Sequence, residues 1–390
     1  MDPKINPYAP GAGTRPPELA GRDEIIRECD IALTRVLAGR PARGILLTGL
    51  RGVGKTVLLN IIRDQASAMH YQVDLIEAPE GSPLAPQIIP TLRQILLRLS
   101  RRAKAEDIVQ KALRVLKSFQ ISANVGGTDF GLKLDPEIGT ADSGIIDRDL
   151  ADLFVSVGEA ARAEGVGVAI LIDEVQYLSG SDLSALIVAV HRVTQRQLPV
   201  IVMGAGLPSL PGLSGDAKSY AERLFRYPRI GALNAEDARA ALAEPAEKLG
   251  VSFEEQALAE VVRVTEGYPY FLQEWGSAVW DLSNGPTITF ADVQKAGDEA
   301  TQRLDESFFR VRLNRVTDAE QRYLRAMAEL GSGNYKSGDV ARILGKSTNS
   351  FGPVRDGLIR KGMIYSSKHG VLDFTLPLFD QFMHRAMPFL

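Results

Sequence analysis

The sequence predicts an α/β fold: a parallel sheet sandwiched by helices and built around a phosphate-binding loop, followed by an all-helical lid and a winged helix-turn-helix. Three observations predict it. Gly49-Leu50-Arg51-Gly52-Val53-Gly54-Lys55-Thr56 satisfies the G-x-x-x-x-G-K-[ST] pattern in full, between the apolar run Gly44-Ile45-Leu46-Leu47-Thr48 and a stretch of helical periodicity from Val57 to Arg63. Apolar runs of buried-strand type at 71–76, 168–172 and 199–204 alternate with helical segments, which implies a parallel sheet covered on both faces. From Asn234 to about Ser283 the pattern is helical throughout, and after Thr317 three short helical segments precede two strand-like pieces, the winged helix-turn-helix order.

In the phosphate loop, glycines at 49, 52 and 54 let backbone N–H groups converge on phosphate oxygens, because a side chain there would block close approach or forbid the φ angles needed. The whole stretch, Leu50, Arg51 and Val53 included, is expected to line the nucleotide, and the following helix adds the positive end of its dipole. Lys55 is expected to reach the β- and γ-phosphates, and the Thr56 hydroxyl to ligate Mg²⁺. A second acidic strand end must hold the metal, and Val168-Ala169-Ile170-Leu171-Ile172-Asp173-Glu174 supplies it. Two adjacent carboxylates at the end of a central strand are costly without a cation. Asp173 is the expected metal partner and Glu174 the expected base for the attacking water, which points to hydrolysis beyond mere nucleotide binding.

The composition is that of a soluble globular protein long enough for two or three domains: 390 residues, 45% hydrophobic and 24% charged. No segment approaches the ~20 apolar residues of a membrane span, and no basic-then-apolar signal pattern opens the chain. The single cysteine, Cys29, fits a reducing cytoplasm and reads as a core residue with Ile25, Leu33 and Val36. His70, His191, His369 and His384 share no metal-ligand spacing, so a zinc site is not expected. Residues 301–390 hold 14 Lys and Arg against 9 Asp and Glu, a net +5, while the first 300 residues net −8. That asymmetry permits a nucleic-acid surface near the C-terminus without requiring one.

Taken in order, residues 1–18 carry five prolines and read as an irregular arm. An ATPase α/β domain is expected over 19–233, with an insertion at about 101–145 whose 121–134 stretch looks like a hairpin. A helical lid is expected over 234–300, with starts marked by Asn234 and Asp237 and by Ser252 and Glu255, and a winged-helix domain over 301–390. Within the last, Thr317-Asp318-Ala319-Glu320 is a capping-box start. Pro353 is acceptable only in a first turn, so the third helix is expected to begin near Gly352.

With these elements in place, the chain resembles AAA+ and STAND-type P-loop ATPases of the Orc/Cdc6-like, archaeal-ATPase kind, over about 19–385. Leu19-Ala20-Gly21-Arg22-Asp23 is similar to the family's opening sequence near the adenine, which implies base contacts at Gly21 and Arg22; Asp23 and Ile25 depart from the acids usual there. Gly267-Tyr268-Pro269 is similar to the Gly-x-Pro element that closes the lid over the nucleotide in STAND proteins, and is also a plain helix-ending turn. Arg223 stands where the resemblance implies an arginine finger, worth ~10³ to 10⁵ in rate, with Arg226 and Arg229 competing for the role. Met203-Gly204-Ala205-Gly206 departs from the polar sensor residue of the family and leaves that role unassigned.

The resemblance implies ATP or ADP with Mg²⁺ as cofactors and hydrolysis as the reaction. Two functions are open. One is an ATP-hydrolysing motor or loader that assembles with copies of itself and grips double-stranded DNA through the winged helix. The other is a signalling switch held closed by ADP, with the winged helix as an internal latch. A guanine-binding motif is absent, which sets a GTPase aside.

Overall fold

The computed structural model describes residues 1–11, 13–78, 80–100, 106–125, 134–331, 333, 335–368 and 370–389. The chain divides into two compact units. One is Glu24–Thr48 with Leu58–Arg229; the other is Met1–Asp23, Gly49–Val57 and Ile230–Leu390.

The first unit is built on α1 (Asp23–Leu37), β1 (Gly44–Thr48), α2 (Lys55–Ala68), β2 (Tyr71–Glu77), α3 (Ala85–Ser100), α4 (Glu106–Ser122), α5 (Ile146–Glu164), β3 (Gly167–Asp173), α6 (Gly180–Gln195), β4 (Val200–Gly206), α7 (Leu210–Ala217), α8 (Ala221–Leu224) and β5 (Phe225–Arg226). All five strands are parallel, in the order β2-β3-β4-β1-β5. Every residue of β1, β3 and β4 is buried, as continuous apolar runs require in a sheet covered on both faces. β2, at an edge, alternates instead. The register sets Ile45 and Leu171 on either side of Met203, so β1 and β3 end at the same edge with β4 alone between them, roughly 10 Å apart at two strand spacings. Cys29, Leu33 and Val36 are buried on α1 as the periodicity predicts, and burial pushes the Cys29 thiol up to about 12.

Among the insertion's described residues, Glu106–Ser122 form α4 and 134–145 are turns and irregular backbone. The hairpin expected over 121–134 falls mainly on residues 126–133, outside the described residues.

The second unit adds α9 (Ala235–Glu247), β6 (Ser252–Phe253), α10 (Glu255–Thr265), α11 (Pro269–Leu282), β7 (Thr287–Ile288), α12 (Phe290–Leu304), a π-helical turn at Asp305–Arg310, α13 (Val311–Leu313), α14 (Asp318–Ala328), β8 (Tyr335–Lys336), α15 (Ser337–Ile343), α16 (Gly352–Arg360), β9 (Ile364–Lys368), β10 (Val371–Phe374) and α17 (Phe379–Ala386). Asn234 caps α9 by accepting from the Asp237 N–H at 2.9 Å, and Thr317 with Glu320 forms the predicted capping box. Ser252 does not start a helix. It lies in β6, paired with β7, and its hydroxyl meets that of Thr287 at 3.1 Å. Pro353 sits in the first turn of α16, and a three-stranded sheet, β8-β10-β9, accompanies α14, α15 and α16.

The N-terminal arm has one 3₁₀ turn and is fastened to α9 and α11. The buried Tyr8 donates its hydroxyl to the Leu242 carbonyl at 2.6 Å, and its ring lies where a Cβ on Gly276 would stand, 2.7 Å away. Among the described residues no helix is long and apolar enough to cross a membrane.

Candidate functional site

The phosphate loop leaves β1 and enters α2 at Lys55, as the motif demands. Gly52 and Gly54 hold φ of +81° and +91°, a region that L side chains rarely adopt, and a Cβ on Gly54 would meet nothing within 4 Å. Gly49 is needed for a different reason: a Cβ there would stand 2.1 Å from the Ile230 carbonyl. The Lys55 ammonium is buried and folds back on the loop, donating to the carbonyls of Gly49 at 3.0 Å and Leu50 at 2.8 Å. Thr56 follows in the first turn of α2, its methyl 3.2 Å from where a Gly13 Cβ would be.

Around the loop, segments distant in sequence grip its backbone. Arg22 donates to the carbonyls of Val53 at 3.4 Å and Gly231 at 2.7 Å, and burial lowers its guanidinium from the usual range against the opposing charge of Asp237. Gly21, at φ +68°, leaves no space for a side chain because Asp237 stands beside it. Gly267, also at positive φ, lies under the Leu233 carbonyl, and Pro269 opens α11. That turn delivers the N–H of Tyr270 to the Gly52 carbonyl at 3.2 Å. Tyr270 then stacks on Phe308, from the π-helical turn, with centroids 4.8 Å apart. Its hydroxyl donates to Glu274 at 2.9 Å; burial, reinforced by the Glu274 charge, pushes that phenol up to about 12. The Arg51 N–H donates to the carbonyl of Thr375, just past β10, at 3.0 Å.

In the sheet unit, Asp173 is the last residue of β3 and is buried, its carboxylate accepting from the Glu174 N–H at 2.8 Å. Glu174 adopts φ 53° and ψ 38°, left-handed backbone that a residue with a side chain takes only when its surroundings enforce it. The enforcement is visible: Val175 is buried, and the Tyr177 N–H donates to the Glu174 carbonyl at 2.9 Å. Gln176 donates its amide to the Glu174 carboxylate, while its own oxygen accepts from the Leu207 N–H at 3.1 Å.

At the end of β4, backbone blocks a side chain at Gly204, whereas one at Gly206 would press on side-chain ends. A Cβ on Gly204 would be 2.6 Å from the Ile172 carbonyl, and one on Gly206 would be 2.8 Å from the Gln176 oxygen. Gln176 thus brings an amide to the end of β4 from the turn after β3. Its signal in the sequence was an amide two residues beyond a catalytic-type carboxylate; Tyr270 and Thr375 left no such signal, because their backbones make the contacts.

Arg223 lies exposed on α8, the neighbouring Arg226 pairs with Glu28 at 2.7 Å, and Arg229 is exposed. Three cations of the C-terminal elements are paired: Arg355 with Asp356 at 3.5 Å, Lys361 with the buried Glu320 at 2.6 Å, and Arg342 with Asp339 at 3.0 Å. Lys346 and Lys368 are exposed.

Residues 18–203 match the AAA ATPase domain family, and residues 306–383 match a domain of unknown function, DUF8462. No curated protein matches the sequence. Among solved structures, the chain is similar to the Walker-type ATPase PABY2304 of Pyrococcus abyssi, at 17% identity and a TM-score of 0.56, over 95% of this chain and 97% of that one. It is also similar to the ADP form of the Aeropyrum pernix ORC2 protein, at 15% identity and a TM-score of 0.55, over 99% and 98%. At these identities the likeness is one of fold.

Proposed function

We propose that this chain, whose residues 18–203 match the AAA ATPase domain family, is an AAA+ P-loop ATPase of Orc/Cdc6-like fold that binds ATP on the loop from Gly49 to Thr56 and hydrolyses it with Mg²⁺. Two observations carry the reading: a complete phosphate loop with Gly52 and Gly54 at positive φ and, within the sheet unit, a carboxylate pair ending β3 at the edge where β1 also ends. The open backbone at Gly54 and the acid at Asp173 fit a magnesium nucleotide. Thr56 and Asp173 are the residues to hold the metal, which supplies charge neutralisation on the phosphates when bound. Lys55 faces the β- and γ-phosphates, and Glu174 orients the attacking water and takes its proton. Arg22, Gly21, Gly267 and Pro269 act through the loop they frame, the first by its carbonyl contacts and the others by the turns they permit. Arg223, exposed on α8, is the candidate to reach a neighbouring copy in a homo-oligomer.

A second reading concerns what hydrolysis drives. The bond from Arg51 to the Thr375 carbonyl favours elements 301–390 as an internal latch on the phosphate loop. Arg355, Lys361 and Arg342 are ion-paired, while Lys346, Arg360 and Lys368 are exposed and open to double-stranded DNA, the alternative partner of a winged helix. Phosphate release by the purified protein, with and without Mg²⁺, together with its mass and bound nucleotide, tests both. Magnesium-dependent release is expected. A monomer retaining ADP supports the latch, ATP-driven assembly supports the motor, and no release in any condition removes the ATPase reading.

A further inference from the structure

Gln176 is bonded at both ends of its amide. Leu207 can offer only an N–H, so the Gln176 oxygen must face it, and this fixes the NH₂ group on Glu174. The orientation is imposed by the backbone at the end of β4. The glycine at 206 is part of the same arrangement, since a Cβ there would press on the Gln176 oxygen at 2.8 Å. The left-handed backbone of Glu174 is enforced by its surroundings, and the bond from Gln176 adds a hold on its carboxylate. A carboxylate has about four lone-pair directions, so a bond to Gln176 is compatible with a water on the same group.

From this juxtaposition, and resting on the hydrolytic reading of Glu174, we propose that Gln176 is the positioning residue of the reaction: it anchors the Glu174 carboxylate to the end of β4. It supplies an amide where β4 carries no polar side chain of its own. Gln176 makes no contact with substrate in this role; it acts by fixing the geometry of the base. Misplacement of a base by about 1 Å can cost on the order of 100-fold in rate, whereas nucleotide affinity rests on the phosphate loop and is untouched.

The test compares the full-length parent, Glu174→Gln, Gln176→Met, Gln176→Glu and the double variant Glu174→Gln with Gln176→Met, reading kcat, KM for ATP and the Kd of a fluorescent ADP. Gln176→Glu keeps an acceptor for the Leu207 N–H, loses the amide donor to Glu174 and sets a second carboxylate against it, and it serves if the Met variant does not fold. Both Gln176 single variants are expected to lose at least about tenfold in kcat, with KM and Kd within about twofold of the parent. The double variant is expected to be no slower than Glu174→Gln alone. If Gln176→Met or Gln176→Glu turns over at or above the parent rate while Glu174→Gln is inactive, the positioning role is wrong and the ATPase reading stands. If kcat, KM and Kd shift together with a lower melting temperature, Gln176 is a structural residue and the proposal fails. A parent with no turnover removes the hydrolytic reading and the role together.

Discussion

The backbone N–H of Arg51, inside the phosphate loop, donates to the carbonyl of Thr375, 324 positions further along the chain, at 3.0 Å. Thr375 is itself fully buried and held by its hydroxyl, which donates to the carbonyls of Gly362 at 2.6 Å and Met363 at 3.1 Å. The loop is thus tied to the turn after β10 through a short series of bonds. Thr375→Val keeps the shape and removes the hydroxyl, at a cost of about 1 kcal/mol. Hydrogen exchange at the Arg51 amide is expected to quicken about fivefold. Unchanged exchange there would show that the carbonyl is held without the hydroxyl.

Lys55→Ala and Glu174→Gln are expected to separate binding from turnover. The first removes the cation facing the phosphates and should weaken ATP binding by about 10- to 100-fold, the range of a hydrogen bond to a charged group. The second preserves binding and should slow hydrolysis by ~10²-fold or more. Titration of a fluorescent ATP analogue and a phosphate-release assay read the two arms. A Glu174→Gln protein that hydrolyses at the parent rate would displace Glu174 as the base.

For Arg223 the expected defect appears only in an assembled state. Mixing Arg223→Ala with Glu174→Gln subunits should restore part of the activity that each lacks, because a finger acts on the neighbour's nucleotide. No rescue returns Arg223 to the solvated face of α8.

If the C-terminal elements contact DNA, binding of a fluorescent duplex should be weak, with affinity falling on the order of tenfold between low and physiological salt as counterions reclaim a few phosphates. Arg355→Glu with Lys368→Glu should then abolish it. Binding that is absent, or indifferent to the pair, leaves these elements as a latch.

Burial raises the Glu274 carboxyl above its usual range, so the folded chain holds that proton more tightly than the unfolded chain does. Ionisation therefore costs stability, and stability falls as pH climbs from the ordinary carboxyl range through the raised value. Glu274→Gln keeps an oxygen for the Tyr270 hydroxyl and is expected to melt ~1–2 °C above the parent at neutral pH. The two should converge once the pH drops below the ordinary carboxyl range. A variant that melts lower throughout would show that the charge is compensated.

The sequence by itself determined the elements whose signal is local. Strands buried on both faces had to read as unbroken apolar runs, so β1, β3 and β4 were legible, as was the phosphate loop, where glycine and lysine spacing states the chemistry directly. Capping at Asn234 and Thr317 and the start of α16 at Gly352 followed from the side chain that satisfies the first turn. Ser252 misled because its hydroxyl serves a strand pair with Thr287, a partner that no local window contains. Only the tertiary structure decided what surrounds the loop. Tyr270 and Thr375 reach it through backbone atoms, which every residue carries and no pattern marks, and Gln176 acquires its place because glycine packing at the end of β4 leaves the turn after β3 to supply the amide. Local spacing encodes which groups can do chemistry; what holds them in place depends on contacts between residues that chain order keeps far apart.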